Sequence, residues 1–218
     1  MSRTPIYIIC SPRPQVGKTL IARLLGEFLL LQRGDVVAFD VNLKEPSLLD
    51  FLPRHTETAD IDDTFGKMAL MDRLIVDDGA AKVIDLGYHA FDEFFRMIDE
   101  IGFLKEAARR NVSPIVLFVP DNDRASARSY QTLREILPPR AIITVDNEFV
   151  LRGEMPEAFV HGRVLRIGAL PVFLKTYIDR LTFSFTDYLR TEKDSSTELH
   201  QWIRHNYFSF REIELQLA

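Results

Sequence analysis

A chain that reads Ile8-Ile9-Cys10-Ser11-Pro12-Arg13-Pro14-Gln15-Val16-Gly17-Lys18-Thr19-Leu20 near its start has few folds open to it. The apolar run Ile6 to Cys10, with Tyr7 inside it, has the character of a buried strand, and a short loop follows. Gly17-Lys18-Thr19 then opens a segment with helical periodicity. Strand, loop and Gly-Lys-Thr at a helix start form the layout of a phosphate-binding loop. Free backbone N–H groups and the positive end of the helix dipole face an anion there. In that layout Lys18 reaches terminal phosphates and the Thr19 hydroxyl ligates Mg²⁺. The binding stretch is Pro14, Gln15, Val16, Gly17, Lys18, Thr19 and Leu20. Where the usual pattern has its first glycine this chain has Pro12, and Pro14 is a second proline; each removes one N–H from the cradle. An ordinary β–α turn with a lysine at the helix start is the plain alternative.

Alternation of strand and helix continues along the chain. Helix periodicity over about 18–33 gives an apolar face of Leu20, Ile21, Leu24, Leu25, Phe28, Leu29 and Leu31, and Gly34 stops it. The strand Val36 to Phe39 ends at Asp40, so the first β–α–β unit is expected to be parallel and right-handed. An acidic residue at that strand end lies where ligands bind in open α/β sheets. Residues 41–80 are less regular: Pro46 and Pro53 punctuate them, the acidic cluster Asp60, Asp62 and Asp63 reads first as a solvated loop with a cation site as the alternative, and Phe65 to Leu74 suit a short helix. Ala81 to Gly87 reads as a strand ending in Asp85, followed by Leu86-Gly87. That suits an element in which Asp85 holds Mg²⁺ through water and the Gly87 amide senses the γ-phosphate.

Further on, one long helix is expected near 90–110, with Phe91, Phe94, Phe95, Ile98, Ile101 and Leu104 on its core face. Pro114 to Val119 reads as a strand, and Asp121-Asn122-Asp123 as the cap of a helix to about Leu137. The strand Ala141 to Val145 ends at Asp146-Asn147. A last strand, Arg163 to Ile167, leads through Pro171 into a helix to about Leu181. The pattern predicts an α/β fold, a doubly wound and mostly parallel sheet flanked by helices, with a helical C-terminal tail. Residues 1–218 read as a single P-loop-type domain, core about 4–182 and tail about 183–218. The aromatic tail is expected to pack back on the sheet or across a dimer interface.

Composition bounds the function. With 46% hydrophobic residues in 218, the chain can bury a sizeable core. A net charge of −5 argues against a large nucleic-acid surface. The arginines Arg109, Arg110, Arg124, Arg128, Arg134 and Arg140 read first as solvated helix faces, with a salt-sensitive DNA contact as the alternative. A single cysteine excludes an internal disulfide, and the scattered histidines resemble no metal site. With no signal peptide and no apolar run near the roughly 20 residues of a membrane span, a cytoplasmic protein that does not dock on membranes is expected.

With these elements in order, the chain resembles the deviant Walker A ATPases, the ParA, MinD and MipZ group of partitioning and positioning proteins, over about residues 4–182. Aligned on Gly17-Lys18-Thr19, the family's loop K-G-G-x-G-K-[ST] puts Arg13 at its signature lysine and Pro14 and Gln15 at its two glycines. Phe39-Asp40-Val41-Asn42 falls at its D-x-D, and Leu43-Lys44-Glu45-Pro46-Ser47 continues as the first switch. Asp85 falls at its Walker B aspartate, and Asn147 and the segment after Pro171 fall where it holds adenine. The resemblance implies an ATP- and Mg²⁺-dependent homodimer that positions a cargo, which the residues do not name. Lys18 and Thr19 would bind phosphates and metal, Arg13 would act across the dimer, and Asp40 and Asp85 would organise metal and water. Arginine keeps the lysine's charge with a different donor geometry. Asn42 can hydrogen-bond but cannot act as a base, so slow hydrolysis is expected. Two other readings stay open. One is a degenerate, non-hydrolysing scaffold of the same fold. The other is an ATP-dependent carboxylate-activating synthetase, similar to dethiobiotin synthetase or the cobyrinate amidotransferases.

Overall fold

Along the first strand, Ile6, Ile8 and Cys10 face one side and Tyr7 and Ile9 the other, and all five are buried. A strand apolar on both faces needs a layer of helices on each side, and the fold supplies both. In the computed structural model, which describes residues 3–42 and 47–217, the strands are β1 (Thr4–Cys10), β2 (Val36–Val41), β3 (Thr56–Thr58), β4 (Ala81–Leu86), β5 (Val112–Phe118), β6 (Ile142–Asn147) and β7 (Arg163–Ile167). They form one seven-stranded sheet in the order β3-β2-β4-β1-β5-β6-β7, and each pairing is parallel. The doubly wound α/β sheet expected from the alternation is the fold observed. β1 lies at its centre, where successive connections part to opposite sides, and ligands of such sheets bind outside the carboxyl ends at that point.

One face of the sheet carries α1 (Lys18–Arg33), α9 (Phe185–Thr191) and α10 (Glu198–Leu217). The other carries α3 (Thr64–Leu74), α4 (Phe91–Glu100), α5 (Phe103–Arg109) and α6 (Arg124–Ile136). Short helices α2 (Leu48–Phe51), α7 (Glu148–Leu151) and α8 (Val172–Ile178) stand among the connections. Gly34 ends α1 with φ of 80°, its N–H bonding back to the Leu30 carbonyl, a left-handed cap that favours glycine.

The aromatic tail packs back on the first face. Phe28 of α1 meets the rings of Tyr207 and Phe210 at 5.4 and 5.7 Å, and Leu199 and Ile203 are buried in the same core. Arg23, itself buried, donates to the Ile178 carbonyl at 2.6 Å and to the Phe183 carbonyl. Its guanidinium lies over Phe51 and Phe185, and Glu27 pairs with it while accepting from Ser184. A buried cation with this many partners holds α1, and the loop that precedes it, against the tail.

Several expectations need correction. The helix expected near 90–110 is two: α4 stops at Glu100 and α5 starts at Phe103. Gly102 between them adopts φ of 63°, which L-residues with side chains avoid. Ile101, expected on the core face, caps the end of α4 and is 53% exposed. The helix after Pro171 ends at Ile178 rather than near Leu181. Thr56–Thr58, within the stretch read as irregular, forms the edge strand β3. β2 runs on to Val41, so Asp40 lies inside the strand rather than at its end. Asp60 and Asp63 serve the backbone, accepting from the Asp62 and Gly66 amides, the latter as the cap of α3. No helix among the described residues is long and apolar enough to cross a membrane.

Candidate functional site

The loop between β1 and α1 presents a run of unpaired backbone donors. Ile21 is the first residue of α1 to bond backward, to the Gly17 carbonyl at 3.1 Å. Among the described residues no hydrogen bond engages the amides from Gln15 to Leu20. That run begins after both prolines, so Pro12 and Pro14 do not interrupt it. Gln15 has φ of 57° and Gly17 φ of 88°. The backbone at Gln15 therefore takes the left-handed form a glycine would adopt freely, and tolerates a Cβ there. Concave runs of N–H groups of this kind attract anions.

Side chains close in beneath the loop. Lys18 is only 9% exposed, and its Nζ donates to the Arg13 carbonyl at 2.9 Å. Burial lowers its pKa, while Asp85 and Cys10 pull it back up. Thr19 Oγ1 donates to Asp85 Oδ2 at 2.6 Å and lies 3.1 Å from Ser47 Oγ. Asp85 is buried inside β4, one residue before Leu86 ends it, rather than at the strand's end, and burial raises its pKa to about 6, against the opposing hydrogen bond from Thr19. Asp40 is its register partner on β2. Two buried carboxylates side by side, one bonded to the hydroxyl that follows the lysine, form a donor set that fits a hard divalent cation with water ligands.

Asp40 also serves the backbone. Its Oδ2 accepts from the amides of Ser47, Leu48 and Leu49 at 2.9, 2.8 and 3.3 Å. It thus anchors the start of α2 and the end of the connection that follows β2. Burial raises its pKa, partly offset by these bonds. Leu43-Lys44-Glu45-Pro46, the rest of the expected switch, lies outside the described residues. Asn42 lines a cavity of about 170 Å³ with Val41, Gly87, His89 and Asp60.

Three expected binding residues are engaged inside the chain. Arg13 pairs with Asp121 at 3.2 Å and Asp123 at 3.4 Å. The Gly87 amide donates to the Val41 carbonyl at 3.0 Å, and a Cβ at Gly87 would come within 2.8 Å of that oxygen. Asn147 donates from Nδ2 to the Val16 carbonyl at 2.9 Å and accepts from the Phe149 amide. Both ends of its amide are therefore committed, and it clamps the loop from β6 rather than facing open space. Pro171 precedes α8, whose first residues Val172 and Phe173 are exposed. Ser47, the described end of the expected switch, touches Thr19. Asp121 and Asp123, which the motif did not single out, hold Arg13, and only the cap-like run Asp121-Asn122-Asp123 signalled them.

The clamp has a measurable consequence. Asn147→Ala leaves the buried Val16 carbonyl without its donor, and a loss of about 1–3 kcal/mol of stability is expected. Urea unfolding should show a lower midpoint at unchanged slope; an unchanged midpoint would remove the clamp from the account.

A parallel sheet whose central strand leads through an amide-lined loop with Gly17-Lys18-Thr19 into a helix has the layout of the P-loop α/β folds. By sequence, no protein-family model and no curated protein matches the chain. Among solved structures it is similar to a chain of the MinC:MinD cell division protein complex of Aquifex aeolicus, with a TM-score of 0.50 and 16% identity over 96% of each chain. At that identity the likeness concerns the fold, a MinD-like P-loop sheet spanning almost the whole chain.

Proposed function

We propose that the protein is a nucleotide-gated ATPase of the partitioning and positioning type, which binds ATP with Mg²⁺, pairs with a second copy, and hydrolyses slowly. The observation that carries this reading is the run of free amides from Gln15 to Leu20 above the bonded pair Thr19 and Asp85. The amides would hold the β- and γ-phosphates, and Lys18 would exchange the Arg13 carbonyl for a phosphate oxygen. Thr19, Asp85 and Asp40 would hold Mg²⁺ directly or through water, and the cation would neutralise charge on the phosphates. Arg13 would have to leave Asp121 and Asp123 to reach a partner's nucleotide, and Asn42 can orient a water but not deprotonate it. Both features support slow turnover.

The acidic residues Asp60 and Asp62 at the neighbouring cavity would repel a carboxylate substrate, which weighs against the carboxylate-activating reading. Engagement of Arg13 within its own chain is the observation that favours a non-hydrolysing scaffold. The test is solution mass with and without ATP and Mg²⁺. A monomer that doubles in mass only with both supports the gated dimer. A mass indifferent to nucleotide, in a protein that also fails to bind ATP, leaves the scaffold.

A further inference from the structure

On the face away from α1, the break between α4 and α5 opens a groove of about 440 Å³ against α3. Its floor is apolar and buried: Met71, Met97 and Phe103. Its rim is apolar and exposed, Met68 at 61% and Ile101 at 53%. Phe65, three residues before Met68 on α3, stands 82% exposed. Ile101 closes α4, its N–H bonded to the Met97 carbonyl at 3.1 Å, and the chain turns away at Gly102 immediately after it. Exposed methionine and isoleucine on the rim of one groove, with an exposed phenylalanine one turn away on α3, mark a contact surface more often than a solvated one, and methionine suits it because the thioether repacks around varied partners.

Charge narrows the occupant. Asp72 and Glu100 also line the groove, and among the described residues neither has an ionic partner. Lys67, the lysine on this rim, is already paired with Glu93. The groove is thus an apolar trough edged by two unpaired carboxylates. We infer that it docks a helix of a partner protein, amphipathic, with large apolar residues on one face and lysine or arginine flanking them. A small ligand in the groove would leave Phe65 uncovered, whereas a helix laid along α3 covers groove and rim together. Self-pairing about a two-fold axis would set like carboxylates against each other. An acidic rim also disfavours an anionic lipid surface. The site shares no residue with the phosphate loop and does not depend on nucleotide.

The probe is a fluorescein-labelled amphipathic peptide of about five helical turns (~18 residues), with leucine and phenylalanine on one face and lysine on the other. Its counterpart keeps the apolar face and replaces each lysine with glutamate. Fluorescence anisotropy on the full chain should rise with the basic peptide and not with the acidic one. Met68→Lys and Ile101→Lys change exposed side chains, and each should weaken binding about tenfold with an unchanged circular dichroism spectrum. The double variant Asp72→Lys, Glu100→Lys should prefer the acidic peptide. Lys18→Ala should bind the basic peptide as the parent does, which keeps this result separate from that of the nucleotide site. Equal binding of both peptides, or binding untouched by Met68→Lys, overturns the inference. Absence of peptide binding together with self-association abolished by Met68→Lys overturns it in favour of a second copy. Binding only to anionic vesicles overturns it in favour of a membrane.

Discussion

Lys18→Ala is expected to weaken ATP binding in the presence of Mg²⁺ about a hundredfold, close to 3 kcal/mol, and to abolish the mass doubling. The size follows from where the ammonium lies. It is nearly buried and donates to one carbonyl, that of Arg13. Water therefore screens it poorly, and a phosphate drawn into the loop would meet it at low dielectric. The backbone amides survive the substitution, so residual binding is expected rather than none. Effects on the nucleotide-free protein should be small and of mixed sign. Removing Lys18 relieves the desolvation that lowers its pKa, but it also takes a cation from beside Asp85. Calorimetric titration with ATP, beside a thermal melt without nucleotide, separates these two consequences. An unchanged affinity would mean that the loop does not hold the phosphates.

Asp85→Asn is expected to do two opposite things: stabilise the nucleotide-free protein at neutral pH and remove the Mg²⁺-dependent part of any stabilisation by ATP. Burial raises Asp85 from its ordinary 3.8 to about 6. Between those pH values the folded protein holds a proton that the unfolded chain has released. Stability therefore falls as pH rises through that window, and at pH 7 the folded state carries the full cost of a buried charge beside Asp40. The asparagine keeps an acceptor for the Thr19 hydroxyl and has no charge to desolvate. At pH 7.5 the variant should gain up to about 3 kcal/mol, and the gain should shrink to nothing as the pH approaches 4. Melts of both proteins across that range check the sign. A variant no more stable than its parent at pH 7.5, or a gap constant with pH, would refute the assignment. The trade is that of a binding site kept charged at the expense of stability.

Legibility from the sequence followed the range of the forces involved. Helix α1, its glycine cap, β1, β4 and β7 were readable because apolar period and turn residues are local. The break at Gly102 was not, since a single glycine inside an apolar-periodic run gives no warning that it will adopt positive φ. Nor was β3, a three-residue strand that exists only because β2 offers it an edge. At the site, the motif led to Lys18, Thr19 and Asp85 as one group, and the contact between Thr19 and Asp85 bears on that grouping directly. For Asn147, Arg13 and Asp40 the residue type was visible and the partner was not. Asn147 reaches the loop across 131 positions of chain and Arg13 meets Asp121 across 108, separations no local pattern encodes.

By itself, then, the sequence determined the order of elements, and with it a parallel sheet, since apolar strands alternating with amphipathic helices have few other ways to hide both faces. It also determined that Gly17-Lys18-Thr19 would open the first helix. Only the tertiary structure decided what that loop is tied to. The sheet order sets β4 beside β1 and brings Asp85 under Thr19. β6 lies on the far side of β5, from where Asn147 grips Val16. The tail packs on α1 through Arg23, Tyr207 and Phe210. Propensity and period act over a few residues, whereas these contacts depend on which strands become neighbours, and that is settled only when the whole core closes.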